Sequence, residues 1–155
     1  MSHFFCDTSA LVKRYFPETG STWLDHLTAP TTGNVIILAE ITLAETAATF
    51  AAKQRASGGI TLPQRNAAMG LWLRHCVLEY ALVAVNRQVI DRAVTLTQNY
   101  RLRGYDAVQL AAALEANAAL TAAALSPLMF IAADNDLLNA ANSEGLATDN
   151  PNLHP

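Results

Sequence analysis

The sequence predicts an α/β protein built on a central, mainly parallel sheet covered by helices. Two observations predict it. Short apolar or β-branched runs alternate with longer helical stretches along the whole chain, the pattern of strands joined by helical crossovers. The segment after Gly104 is apolar nearly all round (Ala107, Val108, Leu110, Ala111, Ala112, Ala113, Leu114), as a buried helix must be. Composition agrees: 155 residues, 52% hydrophobic and 15% charged, suffice for a packed core and exclude a disordered chain.

The elements follow in order. His3–Cys6 is an apolar run that meets Asp7-Thr8-Ser9, a group of helix-capping residues, so a buried strand gives way to a helix start. Residues 9–16 form a short helix stopped by Pro17. Residues 18–29 form a second, with Trp23, Leu24 and Leu27 on one face, and Pro30 to Gly33 is a loop. Val35–Leu38 is a β-branched strand. Residues 40–56 are a strong helix ended by Ser57-Gly58-Gly59. Thr61 caps the next helix, which has Pro63 in its first turn and runs to Glu79. Residues 81–85 are a strand, 87–100 a helix, and Gly104-Tyr105-Asp106 begins a helix to Leu120. Leu128–Ala132 is a strand, and Asp134-Asn135-Asp136 opens a last helix that Gly145 closes. The expectation is a single domain over residues 1–148, with residues 149–155 a flexible tail and fraying from Thr148 onward.

The bulk numbers exclude several function classes. A net charge of −3 excludes a globally basic nucleic-acid binder, though not a local basic patch. Cys6 and Cys76 form no C-x-x-C, so neither a disulfide framework nor a zinc ribbon is expected. His3, His26, His75 and His154 have no metal-ligand spacing and read as surface or core histidines. The opening Met-Ser-His-Phe-Phe-Cys-Asp has no basic region of a secretory leader, and the apolar stretch from Ala107 to Ala133 is broken by Glu115, Asn117 and Pro127. A cytoplasmic protein with no membrane partner is the expectation.

In an open α/β sheet, ligands bind at the carboxyl ends of the strands. Asp7 directly follows the first strand, and Asp134 and Asp136 follow the last. Asp106 starts the buried helix, and Glu45 lies among Ala and Thr residues in the helix after the second strand. Taken singly, Asp7, Asp106 and Asp134 are also what an ordinary N-cap looks like. Glu45 is what a solvated helix residue looks like, except that its flank is Ala and Thr rather than Lys, Arg or Gln. Jointly, several acids with few lysines to neutralise them converge on one sheet edge. Close carboxylates split their pKa values unless a cation joins them. An all-oxygen set suits Mg²⁺ or Mn²⁺ rather than zinc, and such ions activate water and stabilise charge on a phosphoryl group. Glu40 competes with Glu45, but the two point roughly 140° apart on a helix, and the helix dipole alone explains an acid at position 40. Glu45 is therefore chosen.

Basic and aromatic side chains accompany these acids. Lys13 and Arg14 follow Asp7, and Arg101 and Arg103 precede Asp106, with Tyr100 and Tyr105 beside them. Such a set suits a phosphodiester backbone and unstacked bases, although a solvated charged face reads the same way.

These residues resemble the PIN-domain nucleases, and among them the small toxin of VapBC-type toxin–antitoxin modules. Phe5-Cys6-Asp7-Thr8-Ser9-Ala10-Leu11-Val12-Lys13, followed by Glu18, is similar to the first motif, and Ile41-Thr42-Leu43-Ala44-Glu45 to the second. Tyr105-Asp106-Ala107-Val108-Gln109-Leu110-Ala111 is similar to the third, and Phe130 to Leu138 to the fourth. Order and spacing cover residues 4 to 148. The resemblance implies a three-layer α/β/α fold on a five-stranded, mainly parallel sheet. It implies an endoribonuclease with Asp7, Glu45, Asp106 and Asp134 around Mg²⁺ or Mn²⁺. It also implies a homodimer, and an antitoxin whose tail blocks the acidic site. On this reading Asp7 is the central metal ligand, and Glu45 and Asp106 complete the oxygen shell. Asp134 holds a second metal or orients water. Thr8 or Ser9 holds a metal-bound water or a phosphate, and Lys13, Arg14, Arg101, Arg103 and Tyr105 hold RNA. One departure stands out: the family usually has Thr or Ser two residues before the fourth acid, where this chain has Ala132. Asp136 is a second candidate for that acid.

Two other readings bear on the same residues. Asp7-Thr8-Ser9 after a first strand also resembles the nucleophilic aspartate of aspartyl-phosphate phosphatases. Those need a second Asp where this chain has Ser9 and a downstream Lys, whereas Lys13 and Lys53 are both early. The alternative to catalysis is a nucleic-acid or protein binding module on the same scaffold.

Overall fold

The computed structural model describes residues 1–154. Its sheet has strands β1 (His3–Cys6), β2 (Val35–Ala39), β3 (Tyr80–Val83), β4 (Met129–Ile131) and β5 (Ala147–Asp149) in the order β3-β2-β1-β4-β5, every pair parallel. The helices are α1 (Thr8–Leu11), α2 (Ser21–Thr28), α3 (Ile41–Arg55), α4 (Leu62–Leu78), α5 (Arg87–Asn99), α6 (Gly104–Ala122) and α7 (Asn135–Ser143).

Period-two alternation along the strands sorts the core into two layers. Phe5, Ile37 and Phe130 face α5, α6 and α7, where they meet Val89, Leu110 and Leu137. Phe5 and Phe130 are register partners and stack with ring centroids 5.6 Å apart. Cys6, Ile36, Leu38 and Ile131 face the other way, onto Leu11 of α1, Phe50 of α3 and Trp72 of α4. The result is the expected three-layer α/β/α sandwich.

Local signals start the helices where the sequence places them. Thr61 and Gln64 form a complete capping box on α4. Asn86 caps α5 by accepting from Val89 N at 3.0 Å, and Asp134 caps α7 by accepting from Leu137 N at 2.9 Å. The first helix is shorter than expected: α1 is a single turn that tightens into a 3₁₀ turn over Val12–Arg14 before Pro17.

The expected frayed tail is corrected for the described residues. Ala147–Asp149 is the fifth strand, pairing Thr148 with Phe130, and Pro151–Leu153 makes a 3₁₀ turn capped by Asn150. This turn seats on α2. Gly20 there has φ +88°, and a Cβ on it would stand 2.3 Å from Pro151 O, so both conformation and contact demand glycine. His154 stacks on Trp23 at 4.3 Å between centroids and bonds Asp149 at 2.9 Å. Pro155 lies outside the described residues. Among those residues, no helix is long and apolar enough to cross a membrane.

With all strands parallel, their carboxyl ends share one edge. Strand order puts β1 between β2 and β4, so Asp7 sits centrally on that edge.

Candidate active site

Asp7 leaves β1 and caps α1, accepting from Ala10 N at 3.0 Å. Ser9 Oγ lies 2.8 and 2.9 Å from its two carboxylate oxygens. The same hydroxyl accepts from Ala133 N at 2.9 Å, which ties the end of β1 to the segment after β4. Asp7 is only 4% exposed. Burial pushes its carboxyl up to about 7, against the pull of the Ser9 and Ala10 hydrogen bonds, and the charge of Asp106 adds to the rise.

Asp106 stands in the first turn of α6, half-buried. Its carboxyl is also raised, by burial first and then by the charges of Asp134 and Glu45, with the Arg103 backbone and guanidinium opposing. Asp134 is exposed and holds the N-cap of α7 through one oxygen. These acids line a cleft of about 550 Å³, together with Asp136, Ser9, Arg101 and Arg103.

Glu45 lies off the cleft wall and reaches the cluster through the residue after Asp7: Thr8 Oγ1 donates to its Oε2 at 2.8 Å. Gln109 Nε2 donates to the same oxygen at 2.6 Å. Glu40 points away from this network, exposed at the start of α3. Ala132 is fully buried and offers no hydroxyl beside Asp134, but Ser9 of α1 supplies one to the neighbouring backbone.

Several expected contacts fall elsewhere. Lys13 is buried and spent on Glu18 Oε2 at 3.2 Å and Thr19 O at 3.0 Å, because the 3₁₀ turn carries it away from the strand ends. Arg14 binds Glu79 at 2.8 Å and the Tyr80 hydroxyl, beneath α4. Neither lines the cleft. Tyr105 is exposed but lies in a separate apolar groove of about 460 Å³ with Ile41, Ile90, Val94 and Val108, since it precedes Asp106 on α6 and projects toward α5. The hydroxyls of Thr8 and Ser9 hold carboxylates rather than projecting toward a phosphate. Arg101 and Arg103 are the two basic residues on the cleft.

Sequence reasoning passed over Gln109 and Thr42. Both are buried, and Gln109 Nε2 donates to Thr42 Oγ1 at 2.9 Å. The available signal was a lone polar side chain inside the apolar run 107–114.

Among the described residues, no three His, Cys, Asp or Glu side chains already converge as a set of metal ligands. The donors present are carboxylate oxygens and hydroxyls; the charge of Asp106 raises Asp7, the charges of Asp134 and Glu45 raise Asp106, and such a set is the donor chemistry of a hard divalent cation.

The family model of the PIN domain matches residues 4–142. No curated protein matches the chain by sequence. Among solved structures, FitAB bound to a DNA fragment superposes with a TM-score of 0.64 at 17% identity, covering 96% of this chain and 94% of that one. VapBC2 from Rickettsia felis, also bound to a promoter DNA fragment, gives 0.63 at 13% identity, covering 96% and 98%. VapC20 of Mycobacterium tuberculosis, a sarcin–ricin loop cleaving toxin, gives 0.58 at 16% identity, covering 98% and 99%. At these identities the likeness is one of fold. The family match spans nearly all of the alternating strands and helices, with Asp7, Glu45, Asp106 and Asp134 inside it: the chain belongs to the PIN-domain family.

Proposed function

We propose that this protein is a metal-dependent endoribonuclease and the toxin of a toxin–antitoxin pair. The observation that carries the reading is Asp7, a buried carboxylate at the central strand end that shares a cleft with Asp106 and Asp134 and, among the described residues, has no Lys or Arg in an ion pair with it. A structural acid so deeply buried is usually paired with a cation. Here no such cation is in place, burial raises the carboxyl pKa, and a cation bound beside it would favour the charged form.

The donor set fits Mg²⁺ or Mn²⁺. Asp7, Asp106 and Asp134 would hold the ion, with Glu45 joining through its second oxygen and Asp136 within the same cleft. Bound there, the ion supplies a nucleophile from water at neutral pH and charge stabilisation at the scissile phosphate. The chain's own residues do the rest. Ser9 and Ala10 N fix the Asp7 carboxylate, and Thr8 and Gln109 fix Glu45. Arg101 and Arg103 at the rim attract and orient the phosphodiester backbone.

The toxin assignment draws on similar solved structures, one described as a toxin–antitoxin complex from Klebsiella pneumoniae and another as a sarcin–ricin loop cleaving toxin. A partner with a basic side chain would satisfy the acidic cleft and block it. Homodimer assembly and a cytoplasmic site of action belong to the same reading.

The test is incubation of the partner-free protein with structured and unstructured RNAs in Mn²⁺, Mg²⁺ or EDTA, beside an Asp7→Asn variant of matched folding. Metal-dependent cleavage abolished by Asp7→Asn is expected. Metal binding without cleavage of any RNA would favour a binding module instead, and phosphate trapped covalently on Asp7 would favour the phosphatase reading.

A further inference from the structure

We propose that Gln109 is a positioning residue for Glu45, holding one oxygen of that carboxylate with neutral donors so that the other stays open to a cation. The inference deepens the function proposed above and rests on it. Gln109 is 2% exposed in the second turn of α6, the one polar side chain in the run 107–114 of fully or nearly buried Ala, Val and Leu. Burying an amide there is unfavourable unless its groups are met. They are met, the nitrogen more closely than the oxygen. Nε2 lies 2.6 Å from Glu45 Oε2, 2.9 Å from Thr42 Oγ1 and 3.3 Å from Thr8 Oγ1, while Oε1 accepts from Thr42 Oγ1 at 3.3 Å.

This arrangement fixes the amide's orientation. Reversed, the carbonyl oxygen would face the Glu45 carboxylate, two acceptors with no proton between them. Thr8 makes the second bond to the same Oε2, at 2.8 Å. Among the described residues, Glu45 Oε1 has no hydrogen bond. Lys or Arg in place of Gln109 would hold Glu45 as firmly but would cancel the charge a cation needs. Amide and hydroxyl donors hold it without cancelling that charge. The helix makes the coupling direct, because Gln109 lies one turn beyond Asp106 on α6. One rigid element thus sets Asp106 at the cleft and steers Glu45 on α3.

The experiment compares the wild type, Gln109→Met, and the double variant Gln109→Leu/Thr42→Val, which removes the buried amide together with the hydroxyl it would orphan. Mn²⁺ affinity of the RNA-free protein, melting temperature in EDTA, and kcat and KM on a cleaved RNA are measured for each. The expected result is a loss of about tenfold in Mn²⁺ affinity, the scale at which outer-shell partners act. A lower kcat at unchanged KM should accompany it, with the double variant melting no lower than wild type. A melting temperature that falls while Mn²⁺ affinity stays at the wild-type value would overturn the positioning role and leave a structural amide. If the wild type itself neither binds Mn²⁺ nor cuts RNA, the proposed function fails first and the role of Gln109 fails with it.

Discussion

Ser9 Oγ lies within 2.9 Å of both carboxylate oxygens of Asp7 and accepts the backbone N–H of Ala133 at the same distance. One hydroxyl therefore does two jobs at the centre of the sheet edge. It steadies a buried anion, and it satisfies a backbone donor on the segment leading to Asp134. Ser9→Ala removes both. The expected cost in stability is about 1–3 kcal/mol, that of leaving buried polar groups unpaired. The Asp7 pKa rises further, because a bond that lowers it is gone. Chemical denaturation and carboxyl titration by NMR, both in EDTA, check the two effects separately.

Asp7 also makes metal-free stability depend on pH with a definite sign. Its carboxyl titrates at about 7 when folded, above its ordinary value of 3.8. Between those values the folded chain binds more protons than the unfolded one, so stability falls as pH rises through this window and levels off above it. The shift sets an upper limit on the order of 4 kcal/mol. Asp7→Asn should flatten the curve and be more stable than wild type at pH 8 in EDTA. Added Mn²⁺ should then stabilise the wild type, whose site binds it, more than the variant. Urea melts from pH 4 to pH 8, with and without Mn²⁺, read this directly. A wild-type curve that is flat or rises across this window contradicts the raised carboxyl.

The sheet was legible in the sequence wherever a strand is apolar. His3–Cys6 and Met129–Ile131 lie where short buried runs meet capping acids, and Val35–Ala39 is a short, largely buried, partly β-branched run. The fifth strand was not legible, because Ala147-Thr148-Asp149 carries almost no apolar signal and is a strand only by pairing with β4. The candidate acids were legible because carboxylates at parallel strand ends have few other reasons to gather. Lys13 and Arg14 misled because sequence nearness to Asp7 says nothing of the 3₁₀ turn that carries them away. Gln109 was passed over because its role exists only across α3 and α6, between residues 64 positions apart.

The basic residues separate into two groups that mutation should distinguish. Arg101 and Arg103 are exposed on the cleft. Replacing both with Ala should leave the melting temperature unchanged, raise KM for RNA about tenfold, and reduce the salt dependence of binding, as loss of phosphate contacts does. Lys13 is buried and bonded to Glu18 and Thr19 O. Lys13→Met should lower stability by about 1–2 kcal/mol with little change in KM. Salt-titrated binding to a non-cleavable RNA analogue, beside thermal melts, tests both groups. An Arg101/Arg103 variant that melts early but binds RNA normally would reverse the assignment.

Asp134 and Asp136 both reach the cleft, and their surroundings predict which is the fourth acid. Asp134 is near enough for its charge to raise the carboxyl of Asp106, an effect second only to burial. Asp134 also caps α7, so its replacement by Ala would confuse a lost cap with a lost ligand. Asn caps a helix as well as Asp does and carries no charge, which makes Asp134→Asn the clean variant. It should keep the wild-type melting temperature to within a few degrees, let the Asp106 pKa fall, and cut cleavage by about 10²-fold or more, the scale of a lost catalytic group. Asp136→Asn should move the Asp106 pKa less than Asp134→Asn does and leave cleavage within a few-fold of wild type. Carboxyl titration of Asp106 in EDTA reads the electrostatic half without RNA, and single-turnover cleavage reads the catalytic half. If Asp136→Asn is the variant that silences cleavage, the fourth acid is the one in the first turn of α7, and Asp134 serves as the cap of that helix.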